Sequence, residues 1–233
     1  MNNEFAFPRI IGKFSVAGEL VSCERYGEGH INDTFKVTMD DCGREVHYIL
    51  QRINNRLFPD VDRLMHNIEL VPEFCRKSVI ERGGDPMREC LTLIRTKDGA
   101  SYICENGDYF RMYVFIEGAT TYQSVRDPRD FYESAVAFGN FANLLAKFDA
   151  SQLYEILPDF HNTKVRYENF LRAVEKDICG RAEEVRSEID WVKSRSDLCG
   201  KIVDKIASGE IPLRVTHNDT KLNNVMLDDA TGK

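Results

Sequence analysis

Eight residues near the end of the chain bring together an imidazole, a carboxylate, an ammonium and an amide: His217, Asn218, Asp219, Thr220, Lys221, Leu222, Asn223 and Asn224. The pattern is H-x-D-x-K-x-x-N. Phosphoryl transfer to a hydroxyl needs a carboxylate to orient the attacking oxygen, and an amide oxygen five residues later to hold a metal. Asp219 and Asn224 have that spacing, and Asn223 is one residue out of step. Lys221, two residues after the acid, could neutralise charge on the transferred group. His217 reads as a brace for the loop rather than a reactant. An Asn-Asp-Thr sequence alone would mark only a turn. The four side chains together favour chemistry.

A second group lies near the start, where Gly27, Glu28, Gly29, His30, Ile31, Asn32 and Asp33 separate two strand-like runs. Glycines let a backbone approach phosphate and present its N–H groups. Gly29 would do so here, with His30 and Asn32 adding side-chain donors. The full G-x-G-x-x-G is missing, and a glycine turn alone also fits a plain hairpin. In the next strand Val46, Tyr48 and Leu50 face one way, and His47, Ile49 and Gln51 the other. A strand that held nucleotide phosphates here would be expected to carry a cation, and this one carries Gln51. Arg52 is adjacent, but alternation sends it to the opposite face. Either Gln51 donates a neutral hydrogen bond, or a register shift gives Arg52 the role. Glu69, on the following helix, is a candidate acid to pair with such a cation.

The elements that must position these groups follow from periodicity. Strands are expected over 20–26, 34–39 and 45–52, with a turn at 40–43. A helix capped by Asp60 carries Val61, Leu64, Ile68 and Val71 at helical spacing, and Pro72 should bend or interrupt it. Runs 91–95 and 101–105 read as a hairpin across Thr96-Lys97-Asp98-Gly99-Ala100. An apolar, aromatic run follows at 109–116. From Asp130 the period turns helical. Phe131, Ala135, Phe138, Ala142, Leu145 and Phe148 make one stripe, read as core. Phe170, Val174, Ile178, Ala182, Val185, Ile189 and Val192 make a second, and Leu198, Ile202 and Ile206 a third, ended by Gly209. Trp191 is expected to pack. Asp228 and Asp229 read as a turn rather than as metal ligands. That turn implies a partner strand for 225–227 beyond Lys233.

These motifs, with strands preceding helices, resemble the aminoglycoside phosphotransferase and choline kinase group. The wording of Gly27 to Thr34, of Tyr48-Ile49-Leu50-Gln51-Arg52-Ile53-Asn54 and of His217 to Leu227 is similar to the N-acetylhexosamine 1-kinase branch. The resemblance implies an α+β, two-lobed protein-kinase-like fold. An antiparallel β lobe with one helix, 1–116, would bind nucleotide. A mainly helical lobe, 117–233, would be incomplete. It implies ATP and Mg²⁺, with Asp219 as catalytic base, Lys221 beside it and Asn224 on the metal. Gly29, His30, Asn32, Gln51 and Arg52 would lie on the phosphates. Residues 114–117 would form the hinge, with backbone groups of Val114 and Ile116 on the adenine edge. The expected reaction is phosphorylation of a small-molecule hydroxyl, an amino sugar's anomeric hydroxyl first. Choline, ethanolamine, homoserine and aminoglycosides are the alternatives on the same fold. A second metal-binding acid and most sugar-recognising residues would lie past Lys233. The alternative of another class is a non-catalytic nucleotide-binding module or truncated remnant. No G-x-S-x-G elbow supports a hydrolase.

Composition agrees with such a chemistry. The 233 residues are 42% hydrophobic and carry a formal net charge of −7. An acidic chain of this kind does not suggest a nucleic-acid or anionic-membrane partner. No apolar run approaches the roughly 20 residues of a membrane span, and the start lacks a signal-peptide pattern. Seven scattered cysteines without a C-x-x-C pair suggest reduced thiols and a cytoplasmic setting. Missing helical partners would leave the phenylalanine stripe exposed and favour association.

Overall fold

Two hairpins in the first half of the chain are set by two-residue turns that demand positive φ. The structure, a computed structural model, describes residues 5–27, 29 and 31–233. Strands β1 (Glu19–Arg25), β2 (Asp33–Asp41) and β3 (Arg44–Ile53) run antiparallel. Cys42 (φ 55°) and Gly43 (φ 84°) close β2 onto β3, and Asn106 (φ 52°) and Gly107 (φ 85°) close β5 (Ile103–Glu105) onto β6 (Asp108–Val114). Two left-handed residues in succession match the twist of the flanking strands.

The sheet order is β1-β2-β3-β6, with β4 (Leu93–Ile94) and β5 both on the far edge of β6. Here the expected hairpin is replaced. Leu93 and Ile94 pair with Tyr113 and Met112, and Ile103 and Cys104 with Phe110 and Tyr109. The two runs are successive pieces of one broken edge strand. Thr96 to Ala100 is an excursion between them, closed by Thr96 N–H on Ala100 C=O at 2.8 Å.

One sheet face is covered by α1 (Phe7–Ile11). Phe14, Val37, Leu50, Phe110 and Met112 are wholly buried there, with Ile10 and Ile11. The other face receives α2 (Val61–Glu81), whose Val61 and Met65 pack on Ile53. Asp60 caps α2 as expected, accepting from Arg63 N–H at 3.0 Å. The helix continues through Pro72 without interruption. Pro72 cannot donate to Ile68 C=O, so the cost is one hydrogen bond. Packing on both sides of the proline offsets it. The second half of α2 places Cys75 and Val79 against Leu145 and Phe148.

After the short α3 (Pro86–Glu89), the inner face of α4 (Pro128–Leu144) departs from the expected stripe in its first turns. Phe131 is 64% exposed, whereas Asp130 and Ser134 are buried and Phe141 packs inward. Asp127 caps α4, and Arg126 pairs with Asp130 at 2.9 Å. This ion pair satisfies the Asp130 carboxylate on the edge that α4 buries.

The chain falls into two compact units, Met1–Ile156 with Val215–Lys233, and Leu157–Arg214. The expected division between 116 and 117 lies inside the first. The second unit contains α5 (Thr163–Lys176), α6 (Arg186–Lys193) and α7 (Lys201–Ala207). Its long apolar stripe is broken at Asp177 (φ 34°), whose carboxylate accepts from Arg181 and Ala182 N–H. Ile178 is left 87% exposed. Trp191 does not pack into a core; it is exposed, with the Arg195 guanidinium 4.0 Å above its ring. Among the described residues no helix is long and apolar enough to cross a membrane. All seven cysteines are free thiols.

Candidate active site

The loop 217–224 holds its shape through contacts that begin with His217. The imidazole lies edge-on to Phe138 and Phe141 of α4, with centroids 5.3 and 6.0 Å away. It braces the loop through ring packing. Asn218 takes the left-handed conformation (φ 63°), and its Oδ1 accepts from the Thr216 hydroxyl. Asparagine tolerates that region better than most residues, and the reversal it makes presents Asp219 to solvent.

Asp219 and Asn224 are brought together. Asn224 Nδ2 donates to Asp219 Oδ2 and to Asp219 C=O, each at 2.8 Å. Both partners are acceptors, so the amide orientation is determined: NH₂ faces Asp219 and Oδ1 faces away. Lys221 Nζ stands 3.3 Å from Asp219 Oδ2. The hydrogen bond from Asn224, and then Lys221, hold the Asp219 carboxyl below the usual carboxylate range. Asn223 points elsewhere, donating to Gln123 Oε1 at 2.8 Å. After a 3-10 turn at Leu222–Asn224, Val225 and Leu227 are buried.

Leu227 and Asp228 form β8, which pairs with β7 (Ala119–Thr120). One edge of this strand thus pairs with a segment just after the expected hinge, and Asp228 N–H also donates to Lys233 C=O at 2.9 Å. Asp228 is a turn residue. Its Oδ1 accepts from Ala230 N–H, Thr231 N–H and the Thr231 hydroxyl. Its Oδ2 pairs with Arg88 at 2.7 Å, and Arg88 also donates to Glu117 C=O. Arg88 joins the two ends of this site and was not legible from spacing. A cavity of about 550 Å³ is bordered by Ile116, Phe141, His217, Asn224 and Asp228.

On the sheet, β3 keeps an unshifted register with both neighbours: Gln51 opposes Thr34 and Arg111, and Arg52 opposes Asp33 and Phe110. Gln51 therefore faces α2. Arg52 lies on the reverse face, where Nε donates to Asp33 at 2.8 Å and Nη1 to Asp108 at 2.9 Å. Glu69 pairs with Arg95 at 2.9 Å rather than with β3. Asn32 Oδ1 accepts from Asn54 N–H at 3.0 Å, anchoring the glycine turn to the end of β3. A Cβ at Gly29 would meet nothing within 4 Å, leaving its backbone open. His30 lies outside the described residues. At the expected hinge, Val114 N–H is taken by Thr92 C=O at 2.9 Å. Tyr26 and Lys36 contact the Phe115 ring, at 5.5 Å between centroids and 4.6 Å from Nζ. With Arg52 committed to two carboxylates behind the sheet, Arg52→Met is expected to change nucleotide affinity less than twofold, roughly the scale of a distant surface change. Calorimetric titration with Mg²⁺–ADP checks this, and a tenfold loss would return Arg52 to the phosphate site.

A family model for the phosphotransferase enzyme family matches residues 22–233. The chain belongs to that family, and strands β2 to β8, helices α2 to α7 and the loop just described fall within the match, while α1 and the start of β1 precede it. Membership carries a kinase-type transfer of phosphate to small molecules, with general use of ATP and a divalent metal.

Proposed function

We propose that the protein is an ATP- and Mg²⁺-dependent kinase that phosphorylates the anomeric hydroxyl of an N-acetylhexosamine. The carrying observation is the exposed Asp219 carboxylate, held by Asn224 at 2.8 Å with Lys221 at 3.3 Å. Asp219 would accept a hydrogen bond from the sugar hydroxyl and aim its oxygen at the phosphorus. Positioning and charge stabilisation do most of the work in this reaction. Lys221 would lie against the negative charge of the transferred group. In the two-lobed reading the sheet with α2 binds nucleotide, and Gln51, Asn32, Gly29 and Ile116 face or flank it.

Among the described residues no group of three or more His, Cys, Asp and Glu side chains is placed to hold a metal. The donor set instead fits Mg²⁺ shared with the nucleotide: Asn224 Oδ1, a hard oxygen turned away from Asp219, would take one position. When bound, Mg²⁺ supplies neutralisation of phosphate charge. The amino-sugar assignment is supported by the wording of the β1–β3 and 217–227 segments.

ADP release by the full-length gene product, with Mg²⁺–ATP and with or without N-acetylglucosamine, tests this reading. Release that depends on the sugar is the expected result. Release that responds instead to choline, ethanolamine, homoserine or an aminoglycoside would overturn the acceptor and keep the kinase. Nucleotide binding without release toward any acceptor would favour a non-catalytic module. The absence of a β3 cation on the Gln51 face is the observation behind that second reading.

A further inference from the structure

The β3 strand carries no cation toward α2, yet the same sheet face contains one. Arg111 of β6 sits directly across from Gln51 and is only 8% exposed. Its Nε and Nη2 both donate to Gln51 Oε1, at 3.0 and 2.7 Å. Nη1 lies 3.8 Å from Met65 Sδ on α2. The Tyr113 ring lies 5.4 Å from the guanidinium carbon. Burial pulls the Arg111 pKa down from its ordinary value and pushes the Tyr113 phenol up to about 12. Guanidinium does not give up its proton in proteins. The site is a buried positive charge whose contacts within the described residues are a neutral amide, a thioether and an aromatic ring, with no carboxylate among them, an arrangement that lowers stability unless something else compensates it.

The amide it touches is thereby aimed. Arginine has only donors, so the Gln51 carbonyl oxygen must face Arg111 and the NH₂ must face the other way. That NH₂ now donates to the Thr34 hydroxyl at 3.0 Å, on β2 beside the glycine turn. We propose that Arg111 is a positioning residue for nucleotide phosphates: it fixes the Gln51 NH₂ outward as a donor, and its unneutralised charge stands directly behind that donor. The claim rests on the kinase reading above. Under it, the usual strand cation and helix carboxylate are replaced. β3 supplies a neutral amide, β6 the charge, and α2 the Met65 thioether.

The test uses the full chain and three probes: adenosine, Mg²⁺–ADP and Mg²⁺–ATP, titrated calorimetrically. Arg111→Met is expected to weaken ADP and ATP binding about tenfold or more, the scale of a charge-assisted hydrogen bond, while adenosine binding changes less than about twofold. Arg111→Lys should restore part of the loss. Gln51→Glu keeps the fold independently in view. Its carboxylate would neutralise Arg111 and remove the outward NH₂, so thermal stability should rise while ATP affinity falls. Unchanged ATP affinity in Arg111→Met, or equal loss of adenosine and ATP, would overturn the positioning role. If the unsubstituted protein binds none of the three, the kinase reading fails and this role fails with it.

Discussion

Asp219→Ala is expected to lower turnover by about 10²–10⁴-fold, the range for removing a positioned acid–base group. Affinity for Mg²⁺–ATP should change little, because in the proposed mechanism Asp219 serves the acceptor hydroxyl. Single-turnover kinetics and nucleotide titration on the same preparation separate the two effects. Retained turnover would remove Asp219 from the reaction. The pH profile carries a further signature. Asn224 and Lys221 depress the Asp219 pKa, so the carboxylate stays ionised down to below the ordinary value of about 3.9. Any stability linked to that shift is present above the unfolded pKa and is lost as pH falls through the folded one. No acid limb from Asp219 should therefore appear in kcat/KM between pH 5 and 8. A limb in that window that disappears in Asp219→Asn would show the carboxyl to be raised instead.

Phe110→Ala is expected to cost about 3–5 kcal/mol of unfolding free energy. Phe110 is wholly buried, packs edge-on to Phe5 at 5.5 Å, and stands at the centre of the face covered by α1. Removing the ring leaves a space that strands on both sides cannot close, because their register is fixed by hydrogen bonds. Phe131→Ala supplies the contrast. That side chain is 64% exposed, and its truncation should fall within about 0.5 kcal/mol. Urea unfolding of the two variants decides between the stripe read from periodicity and the face that α4 buries. Equal losses would restore Phe131 to the core.

The two phenylalanines show where the sequence was readable. Alternation in β3 gave the correct faces, since the strand is buried on one side and its turn residues, Cys42 and Gly43, set the register. Helix α2 was legible from Asp60 and its apolar spacing. The stripe around α4 held at Phe138, Leu145 and Phe148 and failed at Phe131, Ala135 and Ala142, because the first turns of the helix bury Asp130 and Ser134 instead. The 91–105 hairpin failed because local turn chemistry says nothing about which third strand the two runs share. In the candidate site, the proximity of Asp219 to Asn224 followed from a local motif. Arg111 and Arg88 act over separations of 60 and 140 residues. An arginine within the apolar run of β6 was the available signal for Arg111, and nothing local marked Arg88.

Helix α2 also gives the molecule a mechanical character. Its first half is fixed under the sheet by Met65, which touches the Arg111 that holds Gln51. Its second half is fixed to the packing around Phe141, which flanks His217. The same helix therefore packs at one end against the strand that carries Gln51 and at the other against the residues that flank the Asp219 loop. Pro72, with its missing bond to Ile68, is the compliant joint between the two arms. A residue with an N–H at position 72 would restore the bond to Ile68 and stiffen the one element that both packing groups share.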